Sequence, residues 1–207
     1  LRLAELRQSV QHLGIEHLEL LGYRDSGMDG WDANKHPDAF ANVPLDTAAG
    51  RLAELMERYR PDVVVTYDET GGSGYNHPDH VQAHRITVAA VEATGIPAKF
   101  YYTAIPRTAI KRMFELMRAS GMDLDFEPGD DFGTPDELVT TVVDVSSFVE
   151  LKLKALQAHA SQGDSIDLLR MPPEAQQQAF SHEAFIRVVS KVQTPAHEVD
   201  LFEGLRP

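Results

Sequence analysis

Apolar positions recur along the chain in two alternating rhythms. Leu3, Leu6, Val10 and Leu13 repeat at a helical period, with Gly14 as the expected stop. Leu45, Ala48, Leu52, Leu55, Met56 and Tyr59 mark one side of a second helix. Asp46 sits in its first turn, where the helix dipole favours an acid, and Pro61 ends it. Further helices are predicted from Pro78 through residues 81–93, over 108–119 and over 148–159, with a short one starting at Pro172-Pro173. Gly95 stops the first of these, and Ser146 is the expected N-cap of the third.

Residues 15–21, 63–67, 99–105, 139–145 and 185–192 read as strands. The run from Val63 is unbroken, as a parallel strand buried on both faces should be. Residues 29–43 and 120–136 are polar and read as long loops, a length that often signals function. Helix and strand alternate through residue 105. That predicts βα units and an α/β fold with a Rossmann-like, mostly parallel sheet flanked by helices. The expected organisation is one domain over residues 1–207, with 160–207 as a C-terminal extension packed on it.

Composition narrows the chemistry. Of 207 residues, 43% are hydrophobic, enough for a real core. No apolar run nears the ~18 residues of a membrane span. Residues 1–7 mix charge with apolar side chains and lack the apolar centre of a signal peptide. There is no cysteine, so any metal site must use His, Asp or Glu, and a cytoplasmic location is expected. A formal charge of −13 with scattered basic residues argues against a nucleic-acid partner.

Residues 71–80 read Gly-Gly-Ser-Gly-Tyr-Asn-His-Pro-Asp-His, between a strand and a helix. In open α/β sheets, ligands bind outside the carboxyl ends of the strands. His77 and His80 are three apart, and His84 continues the same helical face. Imidazole is the commonest metal ligand near neutral pH, and a His and carboxylate set suits Zn2+, with Fe2+ also accommodated. His36-Pro37-Asp38 imitates a metal tripeptide, but it sits in a loop without a further carboxylate and reads as a decoy.

These residues resemble a known family. Thr66-Tyr67-Asp68-Glu69, a Gly pair and Tyr75-Asn76-His77-Pro78-Asp79-His80 look like the second motif of the LmbE-like (PIG-L) zinc-dependent N-deacetylases. Residues 20–28, ending Arg-Asp-Ser-Gly-Met, residues 133–137 and residues 152–162 resemble further family segments in order and spacing. The branch that handles mycothiol, with its deacetylase and its S-conjugate amidase, is the most similar. The resemblance implies His80 as the zinc ligand of this motif and His77 as a catalytic imidazole tuned by Asp79. Tyr75 is implied as a donor to the oxyanion, and Arg24, Asp25 and Met28 as the substrate side; Asp68, at a strand end, either touches substrate or anchors the loop, and Tyr67 and Tyr102 read as packing.

The implied reaction is hydrolysis of an amide on a small N-acylated amino sugar, such as N-acetylglucosaminyl-inositol or a mycothiol conjugate; a homo-oligomer is compatible with it. Two departures stand out. Ser73-Gly74 lengthens the loop before Tyr75, which could shift that tyrosine. The family's first motif, His-Pro-Asp-Asp-Glu, is absent from these residues. It supplies two zinc ligands and the base, so the expectation is that residues upstream of Leu1 carry them. The alternatives are an inactive sugar-binding member of the fold without a complete metal site, and a nucleotide- or sugar-binding α/β domain whose histidines are incidental.

Overall fold

The computed structural model describes residues 1–122, 128–162 and 169–206. Parts of the expected 120–136 loop and of the C-terminal polar loop lie outside these residues. The chain divides into two compact units. The first comprises Leu1–Leu20, Thr108–Pro128 and Asp144–Glu183, and the second Leu21–Arg107, Gly129–Val143 and Ala184–Pro207. The segment read as one extension, 160–207, is therefore shared between both units.

In the first unit, α1 (Arg2–His12) packs against α5 (Val149–Gln157). Glu5 fastens this end: its carboxylate accepts the Ser161 N–H at 3.0 Å and the Ser161 hydroxyl at 2.6 Å. A second cluster joins Met117 of α4 (Arg107–Ala119) to Met171 and to Ala175 of α6 (Pro173–Phe180). Ser146 heads a short 3-10 turn before α5 rather than capping it, and Phe148 takes the N-cap position.

The second unit holds most of the sheet. Its order is β1 (Val63–Thr66), β2 (Lys99–Ala104), β4 (His182–Ser190), β3 (Thr141–Asp144). β1 and β2 are parallel, in register from Val63 opposite Lys99 to Thr66 opposite Tyr102. The helix between them is α3 (Pro78–Thr94), which makes the expected βαβ unit. β4 returns antiparallel to β2, with a bulge between Phe100 and Tyr101. α2 (Leu45–Tyr59) packs on α3 around Ala48, Ala49 and Ile86. Small residues at that seam let the two helices approach closely.

Residues 15–21 correct the sequence reading. They form no ladder with any described strand, and Ile15, Leu18 and Leu20 are exposed. Alternation makes a strand only where another strand offers its hydrogen bonds. Here the Ile15 N–H instead donates back to the Val10 carbonyl, completing the end of α1 at 3.1 Å.

Alternation along β2 sends Lys99 and Tyr101 to the face opposite Tyr102, which meets α3. On that opposite face stands Glu198, with no exposed side-chain surface. Its carboxylate takes donors from Lys99, from Tyr101 at 3.0 Å, from Thr141 at 3.0 Å and from Arg187 at 2.8 Å. Burial alone raises a carboxyl's pKa, but these donors outweigh it and hold Glu198 below the ordinary glutamate value. One acid thus ties three strands to the C-terminal segment. Replacing Glu198 with Ala strands a buried ammonium and a guanidinium, a change that costs about 3–5 kcal/mol. Urea unfolding of Glu198→Ala is expected to show that loss; a change under about 1 kcal/mol contradicts the role.

Candidate active site

The site begins where β1 ends. The chain passes Tyr67 and reaches Asp68, which is 8% exposed. One Asp68 oxygen accepts the Thr70 N–H at 2.9 Å, the Thr70 hydroxyl at 2.7 Å and the Gly72 N–H at 3.0 Å. The other accepts the Ser73 N–H at 2.9 Å. Desolvation pushes this carboxyl up, yet the loop donors prevail and its pKa lies below the usual 3.8. Of the two expected roles, substrate contact or loop anchor, the described hydrogen bonds of Asp68 show the anchor: all run to the glycine-rich loop.

That loop needs its glycines. Gly71 and Gly72 have φ of 74° and 111°, a region side chains rarely enter. A Cβ on Gly71 would also meet the His80 Cβ at 3.0 Å and the Val81 backbone nitrogen at 3.1 Å. The loop therefore lies directly on the first turn of α3. The lengthening residue Ser73 is buried and fastened. Its hydroxyl accepts the Ile105 N–H at 2.9 Å and meets the Thr134 hydroxyl at 3.0 Å, while its carbonyl accepts the Gly133 N–H at 3.0 Å. The extra length is tied to the end of β2 and to the segment at Gly133.

The loop delivers three rings to one place. Tyr75 lies 6.0 Å from His77 and 5.5 Å from His80, centroid to centroid, and the two imidazoles are 5.0 Å apart. Their hydrogen bonds set opposite tautomers. His77 is the N-cap of α3, and its Nδ1 accepts the Asp79 N–H at 3.1 Å. A neutral His77 must then carry its proton on Nε2, which makes that atom a donor. His80 Nδ1 lies 2.9 Å from the Gly71 carbonyl oxygen, which can only accept. His80 is thereby protonated on Nδ1 and presents a bare Nε2 lone pair. Burial, helped by the neighbouring His77, lowers the His80 pKa and favours this neutral form.

Asp79 contributes in an unexpected way. Its backbone, not its carboxylate, makes the described bond to His77. The carboxylate instead accepts the Ser26 N–H at 3.1 Å, and its second oxygen is buried without a partner. Asp25, His77 and Asp79 each bring one ligand-type atom within 4.8 Å of the others, so the described residues include a His and carboxylate cluster able to hold a metal ion. The unpartnered Asp79 oxygen fits a cation there. The tautomer imposed on His77 favours a donor role for its Nε2. The better-prepared lone pair for a metal belongs to His80, a neighbour of this cluster.

Arg24 and Asp25 are exposed and Met28 is half-buried, on the segment that reaches the site through Ser26. Ser26 itself went unnoticed in the sequence. It is fully buried: its hydroxyl accepts the Ala41 N–H at 2.9 Å and its carbonyl accepts an Asn34 amide proton at 3.2 Å. A small hydroxyl between Asp25 and Gly27 was the available signal. The decoy His36 spends its Nδ1 on the Asp38 N–H at 3.1 Å, a local turn.

Comparisons with known proteins give the family. The family described as PIG-L, GlcNAc-PI de-N-acetylase, matches residues 1–91. A 1D-myo-inositol 2-acetamido-2-deoxy-alpha-D-glucopyranoside deacetylase of Acidothermus cellulolyticus is 41% identical over 218 residues, covering 99% of this chain and 74% of that protein. Relatives of the same description from Geodermatophilus obscurus and Thermomonospora curvata are 40% and 38% identical. They cover 78% and 99% of this chain, and 61% and 76% of their own lengths are matched. The chain belongs to the PIG-L family of de-N-acetylases, hydrolases acting on carbon–nitrogen bonds other than peptide bonds. Among the described residues, no helix is long and apolar enough to cross a membrane.

The Asp68 anchor has a signed pH dependence. Its depressed pKa means that its contribution is full above pH 3.8 and fades as pH falls through the lower folded-state value. Asp68→Asn is expected to cost about 1.5–3 kcal/mol at pH 7, the range for hydrogen bonds to a charged group. Paired denaturation curves should show that gap closing below pH 3.8; a gap constant into acid contradicts the anchor.

Proposed function

We propose that the protein is a metal-dependent N-deacetylase that hydrolyses the acyl amide of an amino sugar joined to inositol. The observation that carries this reading is the pair of opposed Nδ1 hydrogen bonds on His77 and His80. They prepare one imidazole to donate a hydrogen bond to developing charge and the other to give a lone pair, two functions that amide hydrolysis at a metal uses. Zn2+ is the proposed ion, and Fe2+ suits the same donors. When bound, the ion supplies Lewis-acid polarisation of the acyl carbonyl and a water of lowered pKa.

The chain's own residues do the rest. His80 Nε2 is the proposed ligand from this motif. His77 Nε2–H donates a hydrogen bond that stabilises the charge of the tetrahedral intermediate beside the leaving nitrogen; the proton with which the sugar departs as a neutral amine is the one the attacking water gives up. The Tyr75 hydroxyl donates to the oxygen that gains charge as the carbonyl is attacked, a contribution of about 3–4 kcal/mol in comparable sites. The Asp79 N–H holds the His77 tautomer, and its carboxylate draws the 24–28 segment to the site. Arg24, Asp25 and Met28 on that segment are the proposed sugar contacts. Asp68 acts through the loop. The names of the relatives support the deacetylase over the S-conjugate amidase.

Two substitutions separate the histidine roles in the full-length protein. His77→Ala is expected to lower kcat about 100- to 1,000-fold, the range for a lost donor to developing charge, while metal content stays near that of wild type. His80→Ala is expected to lose metal and activity together. Metal analysis beside turnover of N-acetylglucosaminyl-inositol reads both. Equal metal loss in the two variants contradicts the assignment. Neither metal nor turnover in the wild type instead favours an inactive sugar-binding member of the family.

A further inference from the structure

The His80 ring is held on more than its hydrogen-bonded side. The Tyr67 ring stacks flat on it, with centroids 4.1 Å apart and planes 2° from parallel. Tilting either ring out of this plane breaks the face-to-face contact. Tyr67 is itself confined. A Cβ on Gly72 would meet its Cδ1 at 3.3 Å, so the glycine backbone lies against the tyrosine ring. Its carbonyl accepts the Nδ1–H of His84 at 2.9 Å. His84 stands one turn after His80 on α3, and the Tyr102 ring meets it edge-on at 5.0 Å. Burial raises the pKa of Tyr67 and keeps its phenol neutral.

We propose that Tyr67 is a positioning residue for the His80 imidazole, holding its ring plane by stacking so that Nε2 points along one direction, and that His84 fixes Tyr67 through its carbonyl. The proposal rests on the reading of His80 as a metal ligand. The hydrogen bond to Gly71 sets which nitrogen is bare, but the ring can still pivot about that bond. The Tyr67 stack removes the pivot. A ligand already in its binding plane loses less freedom when metal arrives, and partners that orient metal-binding imidazoles typically contribute 10- to 100-fold in affinity. The third histidine of the motif thus gains a role in support of its neighbour. The glycine pair gains a second one, since Gly71 lies against the helix and Gly72 against the tyrosine ring.

Chelator-competition titration of Zn2+ into the metal-free full-length protein tests this without reference to turnover. Tyr67→Phe keeps the stacking ring and is expected to stay within about twofold of wild type. Tyr67→Leu removes the ring and should weaken Zn2+ binding about 10- to 100-fold. His84→Ala should weaken it in the same direction. His84→Gln, whose amide can still donate to the Tyr67 carbonyl, should recover part of the loss. Wild-type affinity in Tyr67→Leu, with Zn2+ lost in His80→Ala, overturns the positioning role and leaves the ligand reading standing. Wild-type affinity in His80→Ala overturns the ligand reading and the proposal with it. If Tyr67→Leu does not fold, the His84→Ala and His84→Gln pair decides: equal affinities there overturn the proposal.

Discussion

A single buried carboxylate makes the site possible. Asp68 gathers three loop amides and a hydroxyl just past the end of β1. Without that acceptor, the Gly72 and Ser73 amides lose their partner within left-handed turns, and a non-glycine residue in such a conformation costs about 1–3 kcal/mol. With it, the loop presses onto α3 and the Gly71 carbonyl reaches His80. The chemistry of the histidine is therefore decided one hydrogen bond away from the acid that shapes the loop. A negative charge close to the proposed metal site serves here as architecture.

From that constraint the two imidazoles acquire different characters with no difference in residue type. One faces a backbone donor and the other a backbone acceptor. Backbone groups are reliable for this purpose, because a carbonyl cannot donate and an amide cannot accept. Helix geometry explains the rest. The N-cap places His77 where free amides point outward, and three residues later His80 falls beside it on the same face. Pro78 at the first helical position leaves the cap undisturbed, since its missing N–H was unneeded there.

Much of this was legible in the sequence. Both helices of the α2–α3 pair, the parallel β1–β2 pairing and the residue types at the site followed from periodicity, punctuation and the Tyr-x-His-Pro-Asp-His resemblance. The bounds of α2 matched because an apolar stripe, a first-turn acid and a terminal proline all agreed. Residues 15–21 misled because strand formation depends on a partner that local pattern does not encode. The role of Asp68 was open between anchor and substrate contact, since a strand-end acid serves either purpose. Long-range contacts were out of reach: Ser26 to Asp79, Ser73 to Thr134 and Lys99 to Glu198 join residues 53, 61 and 99 positions apart. Tyr67 read as packing, and its stacked geometry belongs to three dimensions alone.

The central claim is that opposite tautomers divide the labour between His77 and His80. Long-range proton–nitrogen NMR of metal-free protein labelled with 15N-histidine, at a pH where both rings are neutral, measures this directly. The account predicts a protonated Nδ1 and bare Nε2 on His80, and a bare Nδ1 and protonated Nε2 on His77. The same tautomer on both rings would contradict it.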